Sequence, residues 1–251
     1  MPCVGCVVSR GGWARSGGWP GGPDRPGGWG RVAVMVVDRA ALFEVLEEGQ
    51  RRGLLGPGAI DPQIDHALAV GTAIGEPGPG RALDLGTGGG LPGLVLAGVF
   101  PQARWVLLDS RRRSVSFVGE AIAGLGLADR VEALLGRAED VGRDPVHRAR
   151  YDLVVARGFG PPAVTAECAA PMLQVGGRLI VTEPPGGQPD RWPAEPLARL
   201  GLRLQARDLH QQIALAVLEQ VEPAPATYPR RSGVPGKRPL FSVSRETQTS
   251  T

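Results

Sequence analysis

Lysine is almost missing from this chain, with Lys237 the only one in 251 residues. Tyrosine occurs twice, at 151 and 228, and histidine three times, at 66, 147 and 210. No Tyr–Lys pair is visible, and the three histidines share no motif, so the usual side-chain sets for hydride transfer and for general acid–base work do not show. The three cysteines are also too few for a framework. Cys3 and Cys6 form a CxxC, but no second pair or suitably spaced histidines follow, which argues against a metal or redox centre. Cys168 reads as a small core residue. No window approaches the roughly 18–20 uninterrupted apolar residues of a membrane span. The start MPCVGCVVSR is too short and too broken by Gly and Pro for a secretory signal. A cytoplasmic protein with no membrane partner is expected.

Glycine and proline, by contrast, are plentiful, at 38 and 24 residues. Arg and Lys together number 28 against 25 acids, for a net charge of +3. That permits an anionic partner without demanding one. Hydrophobic residues make up 42%, enough for a core.

Residues 1–34 repeat Gly, Trp, Pro and Arg without apolar periodicity, and are expected to be a disordered extension. They read as an upstream stretch before a start near Met35, or as an RGG-like nucleic-acid arm. Residues 35–78 form a helical cap. Asp38 is placed to cap one helix with Leu42, Val45 and Leu46 inward, ended by Gly53. A second helix over DPQIDHALAVGTAIG turns Ile64, Leu68 and Ile74 inward, and its lone His66 reads as structural. Residues 79–222 then alternate strands and helices. The strands are RALDLG, RWVLLDS, RVEALLG, YDLVVARG, GGRLIVTEP and IALAVLEQV. This predicts an α/β domain, a mostly parallel sheet with helices on both faces. Residues 223–251 are a Pro-rich basic tail, either solvated or in contact with phosphate.

The stretch RALDLGTGGGLPG places Gly86, Gly88, Gly89, Gly90 and Gly93 in the first strand-to-helix turn, where ligands of open parallel sheets bind. Bare backbone there admits close approach and positive φ. Gly88–Gly93 also fits G-x-G-x-x-G, a dinucleotide pattern. Two acids point to another adenosyl ligand. Asp84, inside the strand end, can orient the turn and face an ammonium, whereas it would repel a pyrophosphate. Asp109 ends the next strand, where a carboxylate accepts hydrogen bonds from both ribose hydroxyls. Asp109 indicates adenosine, and Asp84 tips the reading toward S-adenosylmethionine. After the third strand, GRAED can meet an adenine edge through backbone N–H and Glu139 or Asp140, or cap a helix. Arg157 ends the fourth strand and points at the same crevice.

Together DLGTGGGLPGLVLA, LLDSRRRSVSF, RAED, YDLVVARGFGP, APMLQVGGRLIV and YPRRSGVPGKRPLF resemble the glucose-inhibited division protein B family, the 16S ribosomal RNA guanine-N7 methyltransferases. The resemblance implies a Rossmann-like class I methyltransferase fold, with S-adenosylmethionine held by Gly86, Leu91, Ala138, Glu139 and Arg157. The residue reading above adds Asp84, Gly88, Gly90 and Asp109. It implies 16S ribosomal RNA or the small ribosomal subunit as partner. Arg111, Arg112, Arg113, Arg230, Arg231, Lys237 and Arg238 are then candidate phosphate contacts, and a monomer is expected. The family's NKRxNLT-like stretch is absent, DHALAV at 65–70 echoes its HxxDSL element, and RRRS stands for its LGKR. Guanine N7 carries a free lone pair, so no general base is required and no catalytic residue is named. Positioning alone is worth up to roughly 7–11 kcal/mol. The rival readings are a small-molecule methyltransferase, an idle RNA-binding relative, and a NAD-linked oxidoreductase.

Overall fold

The computed structural model describes residues 37–184, 189–210 and 213–242. The extension over residues 1–34, with Cys3 and Cys6, therefore lies outside the described residues. Seven strands form one sheet in the order β3-β2-β1-β4-β5-β7-β6. β1 (Arg81–Leu85), β2 (Arg104–Asp109), β3 (Val131–Leu135), β4 (Tyr151–Arg157) and β5 (Leu173–Thr182) run parallel. β6 (Leu202–His210) and β7 (Ile213–Gln220) add an antiparallel edge.

The period-2 alternation of the strands sorts side chains onto two cores. Ala82, Trp105, Leu107, Leu153 and Val155 face one layer. That layer is built from α1 (Arg39–Arg51), α2 (Ile60–Ile74), α3 (Gly93–Val99) and α4 (Arg112–Gly124). Leu83, Leu85, Val106, Leu108, Val154 and Ala156 face the other. There they meet α5 (Ala138–Val141), α6 (Pro162–Ala169) and α7 (Ala194–Ala198). The short α8 (Val234–Lys237) adjoins α6 on this side. Leu42 and Leu46 of α1 and Ile64 and Ile74 of α2 are buried as expected, and Asp38 accepts the cap bond from Ala40 N at 3.0 Å. No helix of the described residues is long and apolar enough to cross a membrane.

The sequence reading passes over β6. Arg203, Gln205 and Arg207 make it polar, and a register shift between Leu204 and Ala206 breaks its alternation. Its place is fixed by pairing with β7, which no local pattern announces. The segment after β7 also departs from a solvated tail, because residues to 242 pack back onto the domain.

Candidate active site

The carboxyl ends of β1 to β4 open into a cavity of about 440 Å³. That is a volume typical of small-molecule sites. Gly86 of the first turn, Asp109 at the end of β2, and Ala138 and Glu139 at the start of α5 line it, with Phe159 after β4 and Gly233 from the C-terminal segment. Four of the sequence-derived cofactor residues are thus brought together: Gly86, Asp109, Ala138 and Glu139.

The turn is tied to β2 from below. Gly86 N and Thr87 N both donate to Leu108 O at 2.9 Å. Gly88 N donates to Asp109 Oδ2 and Arg111 N to Oδ1, each at 2.9 Å. Asp109 is 6% exposed, and the Arg111 guanidinium also donates to it, Nε to Oδ1 and Nη2 to Oδ2, each at 3.3 Å, so ribose hydroxyls would take the places of these two longer bonds. Two glycines explain the bare backbone. At Gly86 (φ 77°) a Cβ would lie 2.6 Å from the Phe159 ring, and at Gly89 it would lie 2.6 Å from Leu55. The α1–α2 connection therefore rests on the glycine turn, and the glycines serve that packing as well as the cavity.

Asp84, Gly88, Gly90, Leu91 and Arg157 are not on the cavity wall. Asp84 and Arg157 share strand parity with Ala82 and Val155, so they face the α2–α3 layer. Asp84 Oδ2 accepts from Gly93 N at 2.9 Å, while Oδ1 is buried without a partner. Burial pushes the Asp84 carboxyl up to about 6. Arg157 Nη2 donates to Gln63 Oε1 of α2 at 3.3 Å. Burial lowers the Arg157 pKa, with the Asp84 charge opposing. His66 is held below its ordinary pKa by burial and then by the Arg157 charge, and its Nδ1 is buried without a partner, as is Gln63 Nε2. Gly88, Gly90 and Leu91 shape the turn from behind; Gly90 N, for example, donates to Thr87 O at 2.8 Å.

The C-terminal segment is clamped in place. Arg148 donates to the carbonyls of Gly142, Ala224, Pro225 and Tyr228, and Arg143 to that of Pro229. Ser232 Oγ donates to Asp140 at 2.7 Å, and Gly233 N to Glu139 Oε1 at 2.8 Å. Burial alone would raise the Glu139 carboxyl, but Gly233 N–H and Arg137 outweigh it and hold it below its ordinary value. Arg230 corrects one expectation. Its guanidinium is bound by the fully buried Glu167 at 2.6 and 2.8 Å, so it anchors the segment rather than standing free for phosphate. Arg231, Lys237 and Arg238 are exposed, as are Arg111, Arg112 and Arg113; of these three only Arg111 lines the cavity, and its guanidinium is paired with Asp109 at 3.3 Å.

The sequence reading missed Phe159 and Gly233 as wall residues. The only signal for Phe159 was the unusual GFGPP run. Gly233 reaches the cavity through contacts more than ninety positions apart and leaves no local trace. Replacing Asp109 with alanine is expected to weaken S-adenosylhomocysteine binding by roughly ten- to hundredfold in calorimetry, the worth of one hydrogen bond to a charged group. An affinity within threefold of the parent would remove Asp109 from the site.

A family model described as rRNA small subunit methyltransferase G (GidB) matches residues 42–183. The ribosomal RNA small subunit methyltransferase G of Symbiobacterium thermophilum is 40% identical over 197 residues, covering 72% of this chain and 80% of the relative. That of Rubrobacter xylanophilus is 35% identical over 234 residues, covering 84% and 87%. Among solved structures, the O-methyltransferase from Bacillus cereus in complex with SAH superposes with a TM-score of 0.52 at 17% identity, over 74% of this chain and 93% of that one. The match begins inside α1, so the helical cap whose motifs depart from the pattern is included. The chain belongs to the rRNA small subunit methyltransferase G family, and is an S-adenosylmethionine-dependent methyltransferase.

Proposed function

We propose that the protein methylates N7 of a guanine in 16S ribosomal RNA, acting as a cytoplasmic monomer. The observation that carries this reading is the cavity itself, with an acid at the end of β2 and cationic rims on either side. Asp109 suits ribose hydroxyls, and Ala138 with Glu139 suits an adenine edge. Asp84 and Arg157, behind the turn, bear charges that suit the amino-acid end of the donor. S-adenosylmethionine supplies an electrophilic methyl carbon. The guanine N7 lone pair bonds to that carbon as the carbon–sulfur pair leaves with sulfur, and no proton has to move. The site agrees with that economy. Glu139 is engaged by Gly233 and Arg137, and burial raises the Cys168 thiol so that it stays protonated. Catalysis then rests on placement.

Guanine N7 lies in the narrow major groove of A-form RNA, so the target belongs to a loop or an incompletely assembled particle. The direct test supplies methyl-labelled donor and small subunits, or their naked RNA, from a strain lacking the modification. Label in 7-methylguanosine is expected; donor binding without label in RNA would defeat the proposal.

The cationic rims predict a steep salt dependence. Deleting residues 226–251 would remove packed structure, so the sharper variant changes only Arg231, Lys237 and Arg238 to glutamine. The log–log slope of RNA affinity against salt is expected to become shallower by about two, from roughly 0.7 per phosphate contact. An unchanged slope would exclude this segment from RNA contact.

A further inference from the structure

A second cavity, of about 290 Å³, lies at the ends of β4 and β5 and shares Gly158 and Phe159 with the first. Phe159 thus stands as a common wall between the two. Arg191 and Trp192 line the same cavity, both fixed by one carboxylate. Glu183, with its side chain 2% exposed, accepts from Arg191 Nε at 2.8 Å, Trp192 Nε1 at 2.9 Å and Arg207 Nε at 3.0 Å. Two arginines meet this one acid. Arg191 spends Nε on Glu183, and among the described residues no acceptor takes its Nη groups. An aromatic ring, an indole and a braced guanidinium with donors to spare line this cavity, and they are the parts of a nucleobase pocket.

We infer that this second cavity receives the acceptor guanine, with Phe159 stacking on the base and Arg191 donating to O6. The inference rests on the proposed transfer to guanine and deepens it. Arginine commonly grips O6 and N7 together, but here N7 attacks the methyl carbon, so Arg191 serves O6 alone. Adenine carries a donor amine at that position and would oppose the guanidinium, which makes Arg191 a selectivity residue. Phe159 keeps the base beside the wall shared with the donor cavity, and N7 on that side.

The test uses the full chain saturated with S-adenosylhomocysteine and titrated with guanosine or adenosine monophosphate, following tryptophan emission. Saturable quenching by the guanine nucleotide is expected, with adenine at least tenfold weaker, and Trp192→Phe should remove the signal. Phe159→Ala should weaken both nucleotides by roughly five- to a hundredfold, the worth of one stacked base, and Phe159→Tyr should restore them. Arg191→Ala should abolish the preference without changing S-adenosylhomocysteine affinity. Should Arg191→Ala melt early, Arg191→Met keeps the apolar stem without any donor and should lose the preference as well. Equal binding of the two nucleotides, no saturable quenching up to millimolar concentration, or quenching that survives Trp192→Phe overturns the assignment. If guanine binds selectively but small subunits gain no 7-methylguanosine, the pocket stands and the proposed RNA reaction fails.

Discussion

Arg230→Ala is expected to cost about 3–5 kcal/mol of stability, the usual penalty for breaking a buried ion pair by removing one partner. Glu167 has no exposed side-chain surface, and its carboxylate takes Arg230 Nε, Nη2 and backbone N at 2.8, 2.6 and 2.9 Å. Alanine leaves only the backbone N–H, so a charge is stranded in the core beneath α6. Arg230 Nη2 also donates to Arg238 O at 2.7 Å, closing the turn that carries α8. Releasing it frees Gly233 from Glu139 and opens one wall of the first cavity. Urea denaturation at pH 7.5 should show the loss, and calorimetry should show weaker S-adenosylhomocysteine binding alongside it. The double change Glu167→Leu with Arg230→Met should recover most of the stability, because no buried charge then lacks a partner. A loss under 1 kcal/mol in Arg230→Ala would mean the segment is anchored elsewhere, with the Arg148 clamp the first place to look.

Asp84→Asn is expected to act in the opposite direction on the ligand-free protein. Burial raises the folded-state Asp84 pKa from 3.8 to about 6, which corresponds to about 3 kcal/mol. The sign follows from linkage. A carboxyl whose pKa rises on folding binds its proton more tightly in the folded state. Its contribution is fully present below pH 4 and is lost as pH climbs through about 6. At pH 7.5 the parent therefore carries an ionised, half-partnered carboxylate in its core. Asparagine keeps an oxygen for Gly93 N and removes the charge. The variant should be more stable than the parent at pH 7.5, by up to about 3 kcal/mol, with the gap closing by pH 4. Donor affinity should fall in the same variant, since the charge that burdens the empty protein is the one suited to the donor's ammonium. Thermal melts across pH 4 to 8 decide it, and a stability gap that does not vary with pH would falsify the account.

Much of this was legible in the chain. Alternating apolar runs and capped helices specified a mostly parallel sheet with helices on both faces, because periodicity is a local property of the sequence. The glycine turn, Asp109 and the Ala138–Glu139 pair were legible for the same reason. Strand ends and the turns that follow them are local signals, and in such a sheet all of them meet at one edge.

What the sequence alone determined was therefore which loops build the site. Tertiary structure decided which side chains in those loops reach it. Gly93 N of α3 takes Asp84 and Gln63 of α2 takes Arg157, whereas Asp109, on the same face of the sheet as Asp84, reaches the cavity from the end of β2. The polar edge strand β6 is held by β7, and Arg230 is taken by Glu167 sixty-three positions away. Gly233 lines the first cavity from ninety-four positions beyond its partner Glu139. Such contacts depend on where the packed chain brings distant groups together, and no window of sequence contains both partners.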